Sequence, residues 1–145
     1  MMTVEHLAFV LAQAYPDLAR WKDYWVSHPV DSQTLEQIGP AWIPSWLPED
    51  PPQPTNDDLA RLWEIHGTAA VRHVLAEEMR SKRDALLDEA DVLMMKLEDA
   101  GDIDGVAAAR KYRQALRDVP LQSGFPDAIV WPDVSADVKL THPPK

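Results

Sequence analysis

No cysteine occurs in the chain, which excludes disulfides, a thiolate nucleophile and cysteine-bound metal, so stability must come from packing. Glycine is scarce as well: the five present form neither a phosphate-binding loop nor a dinucleotide fingerprint. The long uncharged apolar run that a bilayer span needs is missing, and "MMTVEHLAFVLAQAYP" lacks the basic flank and small-residue cleavage site of a signal peptide. A soluble cytoplasmic protein without a membrane partner is therefore expected. Positive charge is also in short supply. With 14 Lys and Arg against 24 Asp and Glu, the net charge is -10, which argues against a nucleic-acid partner, because affinity for a phosphate backbone rests on cations. Partners should be neutral or basic.

What is present is enough to fold. The 145 residues are 46% hydrophobic, which suits one ordinary domain or two small modules. Thirteen prolines would suggest a loop-rich chain, yet none lies between Thr55 and Val119. Proline removes a backbone donor and clashes with the preceding turn, so the middle is free to be helical and the flanks are not.

The spacing of Val4, Leu7, Ala8, Leu11 and Ala14 or Tyr15 predicts a helix capped by Thr3 and ended by Pro16. "RWKDYWVSHPV" and "AWIPSWLPED", rich in Trp, Tyr, Val and Ile, predict two strands joined through "DSQTLEQIG", the second made irregular or confined to an edge by Pro44. Trp21, Trp25, Trp42, Trp46 and Trp63 all fall in this half, and the core of a small module is where they are expected. "EDPPQPTNDD" is a stiff boundary, and Thr55 with Asp58 makes a capping-box-like start for a helix in which Gly67 marks a break or a weak spot. Leu86, Ala90, Leu93, Leu97 and Ala100 then recur at spacings of four and three, a heptad seam that permits a homodimer. "GDIDG" at 101–105 reverses the chain, and Ala109, Tyr112, Leu116 and Val119 share a face of the returning helix.

The expected architecture is α+β and mostly helical. A small α-β-β-α module over 1–54 precedes a long antiparallel helical hairpin over 55–119, and a short extended aromatic and proline-containing segment follows over 120–145.

Candidate chemistry is thin. His73 and Glu77 are one helical turn apart, but one pair is not a metal site, and no HExxH-type motif accompanies it. The carboxylates of the long helix, Asp84, Asp88 and Asp91 among them, stand beside Arg80, Lys82, Arg83 and Lys96 and read as a solvated face. Ser27, Ser45, Ser81 and Ser123 lie in no nucleophile-elbow pattern. No enzyme activity, catalytic residue, metal or cofactor is expected. The C-terminal cluster carries more information. Tyr112, Arg113 and Arg117 lie within two helical turns, and Phe125, Pro126, Trp131 and Pro132 follow on a segment too short to build a core. Aromatics beside arginine suit a protein-binding anchor, and they suit equally a flap folded back over the hairpin.

The stretch "YRQALRDVPLQSGFPDAIVWP" resembles the closing signature of phage tail assembly chaperones through Tyr112, Arg113, Leu116, Arg117, Pro120, Gly124, Phe125, Pro126, Trp131 and Pro132. It departs from the pattern at Ser123, where proline is frequent, and at Arg110 and Lys111, where a tryptophan often precedes the tyrosine. Upstream, "KRDALLDEADVLMMKLEDAGDIDG" is similar to tail fibre assembly chaperones through Arg83, Asp84, Leu86, Leu87, Ala90, Leu97, Asp99 and Ala100. The first half resembles a small phage-derived type with a helix, two strands and a helix.

The resemblance implies a non-enzymatic helper in the cytoplasm of an infected or lysogenic bacterium. Such a helper would bind a tail fibre or receptor-binding protein and assist its folding, trimerisation or attachment. Partner-binding residues are then expected at Tyr112, Arg113, Leu116, Arg117, Gly124, Phe125, Pro126, Trp131 and Pro132. A structural virion tail component or adaptor, and an acidic decoy that blocks a host site, are the alternatives.

Overall fold

The structure, a computed structural model, describes residues 1–134, so the rest of the predicted tail, 135–145, lies outside the described residues. The elements run α1 (Val4–Ala14), β1 (Tyr24–Ser27), β2 (Trp42–Trp46), α2 (Asn56–Asp99) and α3 (Ile103–Arg117), then a 3-10 turn at Val119–Leu121. This is the mostly helical α+β arrangement expected, with one two-stranded antiparallel sheet. The chain divides into two units, residues 1–74 and 75–145.

In the first unit, Thr3 caps α1 as its sequence position predicts. The His6 amide donates to Thr3 Oγ1 at 3.3 Å, and the Thr3 amide donates back to His6 Nδ1 at 3.2 Å, so a histidine fills the usual glutamate place in the capping box. Leu7, Ala8 and Leu11 of α1 pack with Tyr24, Val26, Ala41 and Ile43 into one buried cluster. Full burial of Leu7, Leu11 and Tyr24 is worth about 1.5–3 kcal/mol for each side chain. Opposite that cluster, His6 and Phe9 meet the rings of Trp63 and His73 on α2 at 5.8 and 4.8 Å, which puts α1 in contact on two sides.

The tryptophans are less buried than expected. Strand alternation sends Tyr24 and Val26 into the core, so Trp25 takes the other face, where Trp25 pairs with Ser45 and Trp42 with Ser27. Trp46 alone of the strand tryptophans packs against the core, stacked on Tyr24 at 5.5 Å with its indole N–H donating to the Pro51 carbonyl at 2.9 Å. The register shifts by one residue between Trp25 and Ser27, opposite the stretch of β2 that carries Pro44, which has no amide to donate.

The predicted capping box opens α2. The Asp58 amide donates to Thr55 Oγ1 at 3.2 Å, and the Thr55 amide donates to Asp58 Oδ2 at 3.0 Å. Gly67 does not break this helix, which runs unbroken for 44 residues. A Cβ at Gly67 would meet the Trp63 indole at 2.8 Å, so the bare backbone there accommodates the ring one turn back.

In the second unit, α2 and α3 form the hairpin. From residue 75 onward the buried positions on α2 are Ala76, Ala90, Met94 and Leu97, with Leu86, Leu87 and Leu93 among those partly covered. Relative to the predicted seam, Met94 joins and Ala100 leaves: α2 ends at Asp99, and Ala100 is exposed in the turn. Gly101, at φ +68°, reverses the chain, and Asp102 caps α3 by accepting from the Gly105 amide at 2.8 Å. Ala109, Leu116 and Val119 are fully buried and Tyr112 partly, which is the face predicted for α3. Met94, Leu97 and Ala109 form the centre of this packing.

Candidate partner-binding site

The segment after α3 is a closed loop. Leu121 and Gln122 donate their amides to Asp118 and Val119 carbonyls, which ends the helix tightly. The Gln122 side chain then reaches across eight residues: its Nε2 donates to the Val130 carbonyl at 2.8 Å, and its Oε1 accepts from the Val130 amide at 2.9 Å. Inside this clip the Ala128 amide donates to the Gly124 carbonyl at 2.6 Å. Gly124 lies so close to the Ala128 carbonyl that a side chain at 124 would overlap it. The strand that "AIVW" could have formed is absent, because these residues spend their backbone groups on the loop.

The loop folds back onto α2. The Arg80 guanidinium sits 5.4 Å from the Phe125 ring centroid, and Lys82 Nζ sits 4.6 Å from that of Trp131. Pro126 is buried. Of the two readings left open above, the flap is therefore the arrangement in the isolated chain. The loop also exposes two large apolar side chains, Leu121 at 81% and Val130 at 79%, alongside Ser123 and Asp127.

The remaining expected residues divide between packing and surface. Leu116 has no exposed surface and belongs to the core of the unit. Arg113 Nη2 pairs with Asp91 Oδ1 of α2 at 2.6 Å while its Nε carries no hydrogen bond, so this arginine ties the two hairpin arms. Arg117 is exposed. Tyr112 and Pro132 line one cleft of about 200 Å³ with Ala108, Lys111 and Ala115. Burial, then the Glu89 and Asp133 carboxylates, raise the Tyr112 hydroxyl above its ordinary pKa, so it stays a neutral donor there. Thus Phe125 and Trp131 are brought to α2, Pro126 is buried, Tyr112 and Pro132 share one cleft, and Arg117 is left to solvent.

Sequence reasoning missed Arg80, Lys82, Asp91 and Gln122. Arg80 and Arg83 fall at heptad spacing with Ala76, Leu87, Ala90 and Leu97, so two cations interrupt an apolar seam, which was the available signal for an aromatic partner. Nothing in the sequence marks Gln122, since a glutamine clip has no periodicity.

Among the described residues, no group of three or more His, Asp or Glu side chains is placed to hold a metal ion, and no helix is long and apolar enough to cross a membrane. Residues 76–134 match the family model of the phage tail assembly chaperone protein, and residues 7–71 match that of the XkdW protein, a phage-associated family. No curated protein and no solved structure matches the chain significantly. The matched families are phage structural or chaperone proteins and are not known enzymes. The matched boundaries follow the two units closely, with the hairpin and its clipped loop inside the second. Through residues 76–134, 59 of its 145 residues, the chain is similar to the phage tail assembly chaperone protein family.

Proposed function

We propose that this chain is a tail assembly chaperone that acts on a tail fibre or receptor-binding protein, assisting its folding, trimerisation or attachment, in the cytoplasm of the infected or lysogenic bacterium. The observation that carries the reading is the clipped loop at 122–130. It offers Leu121 and Val130 to solvent from a backbone already closed by Gln122, so little ordering entropy is lost on docking. Trimeric fibres expose apolar and edge-strand surface before they assemble, and an acidic partner that masks it would keep them soluble. Tyr112, Arg113, Arg117, Phe125 and Trp131 anchor the client in this reading. Arg117 makes contact directly, and Phe125 and Trp131 act either as the loop's foundation or after exchange from Arg80 and Lys82. A homodimer through the helical seam would use the partly covered Leu86, since Leu93, Met94 and Leu97 pack in the hairpin's own cluster.

Co-expression with the tail fibre protein of the same phage tests the reading. Soluble trimeric fibre should appear with the chain and decline when Arg117, Leu121 and Val130 are replaced together by Glu, Ser and Ser. Equal trimer yield with and without the chain would exclude the role.

A further inference from the structure

The first unit holds its own anomaly, at the turn into β1. Trp21 has φ +72°, the left-handed region that a side chain with a Cβ rarely adopts, and its side chain is 63% exposed. The turn around it is tightly bonded. The Lys22 and Asp23 amides donate to the Ala19 carbonyl at 3.2 and 2.8 Å, the Ala19 amide donates to Asp23 Oδ2 at 2.8 Å, and the Trp21 amide donates to the Tyr24 carbonyl at 2.9 Å. The backbone therefore requires a residue in this conformation. Glycine or asparagine would occupy it at lower cost, and the indole repays nothing to the core, to which it does not belong.

The indole is nevertheless held in place. The Arg20 guanidinium lies 4.6 Å from the Trp21 ring, and Arg20 is itself fixed by two hydrogen bonds to Glu5 of α1, at 2.9 and 3.1 Å. One side of the ring is thus backed by an immobilised ion pair while much of the rest faces water. Leu47, 62% exposed, belongs to the same end of the sheet, its amide donating to the Asp23 carbonyl at 2.9 Å. A strained backbone position occupied by a buttressed, exposed tryptophan is the combination expected of a binding anchor rather than of packing.

We propose that Trp21, with Leu47 at the same end of the sheet, is a preformed anchor that inserts into an apolar pocket on a phage tail protein. The charge nearby defines the rim of that pocket. Asp17, Asp23, Glu49 and Asp50 flank the two apolar side chains in sequence, whereas Lys22 is the one cation of the stretch not engaged by Glu5 as Arg20 is. An apolar socket edged by Lys or Arg complements this surface. The proposal rests on the tail-assembly role of the family and not on the tail fibre protein being the client.

The test is calorimetric titration of the full chain, and of its Trp21→Asn variant, against each separately purified tail protein of the same phage, at low and high salt. Asparagine tolerates the left-handed backbone, so the variant should melt at the same temperature as the original or higher. At least one tail protein should bind the original chain more weakly at high salt and should lose roughly tenfold or more in affinity to the variant. Unchanged affinity in the variant overturns the proposal. So does a failure of every tail protein to bind, and so does a lowered melting temperature accompanying lost binding, which would make Trp21 structural. Trp21-dependent binding to a protein other than the fibre would sustain this proposal while removing the fibre reading. Fibre binding indifferent to Trp21 would do the reverse.

Discussion

Replacing Gly124 with alanine strikes the C-terminal loop at the point where its geometry is tightest. The new Cβ would overlap the Ala128 carbonyl oxygen and lie 3.1 Å from the carbonyl carbon and 3.2 Å from the Ala128 Cβ. The closest obstacle is main chain, so no rotamer change relieves it and the loop must open. Opening breaks the 2.6 Å bond from the Ala128 amide to the Gly124 carbonyl and the two Gln122–Val130 bonds. Counting about 1 kcal/mol for the first and about 0.5 kcal/mol for each of the exposed pair gives about 2 kcal/mol. Alanine returns about 0.4–1 kcal/mol by restricting the unfolded chain, which leaves a net loss of about 1–2 kcal/mol. Urea denaturation measures that loss, and hydrogen exchange at the Val130 amide, which donates to Gln122, reports the opening directly. Gly101→Ala is the control: at φ +68° with no heavy atom within 4 Å of the new Cβ, it should cost about 1–2 kcal/mol through backbone strain alone and leave Val130 protected. If Gly124→Ala changed stability by less than about 0.5 kcal/mol and Val130 exchanged no faster, the clipped loop would not be a feature of the molecule in solution.

Leu116→Ala empties a fully buried position and should cost about 2–5 kcal/mol by urea denaturation, whereas a surface-sized effect would mean that the hairpin packs otherwise. Substituting Arg80 and Lys82 together by alanine removes both cation–π contacts, at about 0.5–1 kcal/mol each, and should shift the Phe125 ring and Trp131 indole resonances; unchanged resonances would place those rings elsewhere. Asp58 titrates below its ordinary pKa because the Thr55 hydroxyl and then its amide donate to the carboxylate. Its lower folded-state pKa makes this stabilisation present above the unfolded value of about 3.9 and lost as pH falls through the folded one, so Asp58→Asn should shallow the acid limb of the stability profile. Asp31, lowered by the Thr34 and Gln33 amides, contributes in the same sense, and an acid limb identical in Asp58→Asn would refute the cap's contribution.

Elements governed by local rules were legible. Thr3 and the Thr55–Asp58 pair announced two helix starts, the glycine-bounded turn at 101–105 announced the reversal, and the spacing of Ala109, Tyr112, Leu116 and Val119 gave the buried face of α3. What depended on tertiary context was not legible. The tryptophans of the first half were expected inside because large apolar side chains usually are. The pleat decides otherwise, since Tyr24 and Val26 point inward and leave Trp25 and Trp42 on the opposite face. The heptad reading placed Ala90 and Leu97 in the buried seam but took Leu93, which packs at the edge of the cluster, where Met94 is buried, because two apolar residues in succession satisfy either phase until a partner helix selects one.

The C-terminal segment shows the same limit. Its residues could be recognised as a signature and as aromatics without a core of their own. Phe125 and Trp131 lie over Arg80 and Lys82, 45 and 49 residues upstream, and the segment is closed by a glutamine clip formed only after the chain has turned. The aromatic residues therefore face the hairpin, and the apolar surface left to a partner belongs to Leu121 and Val130, which the sequence did not distinguish from filler.

Hydrogen–deuterium exchange of the full chain with and without its purified tail fibre protein tests whether the hairpin's C-terminal loop is the surface that a tail protein meets. In the complex, added protection should cover 112–132 and be strongest around Leu121 and Val130. A complex whose protection lies wholly outside that stretch would contradict it.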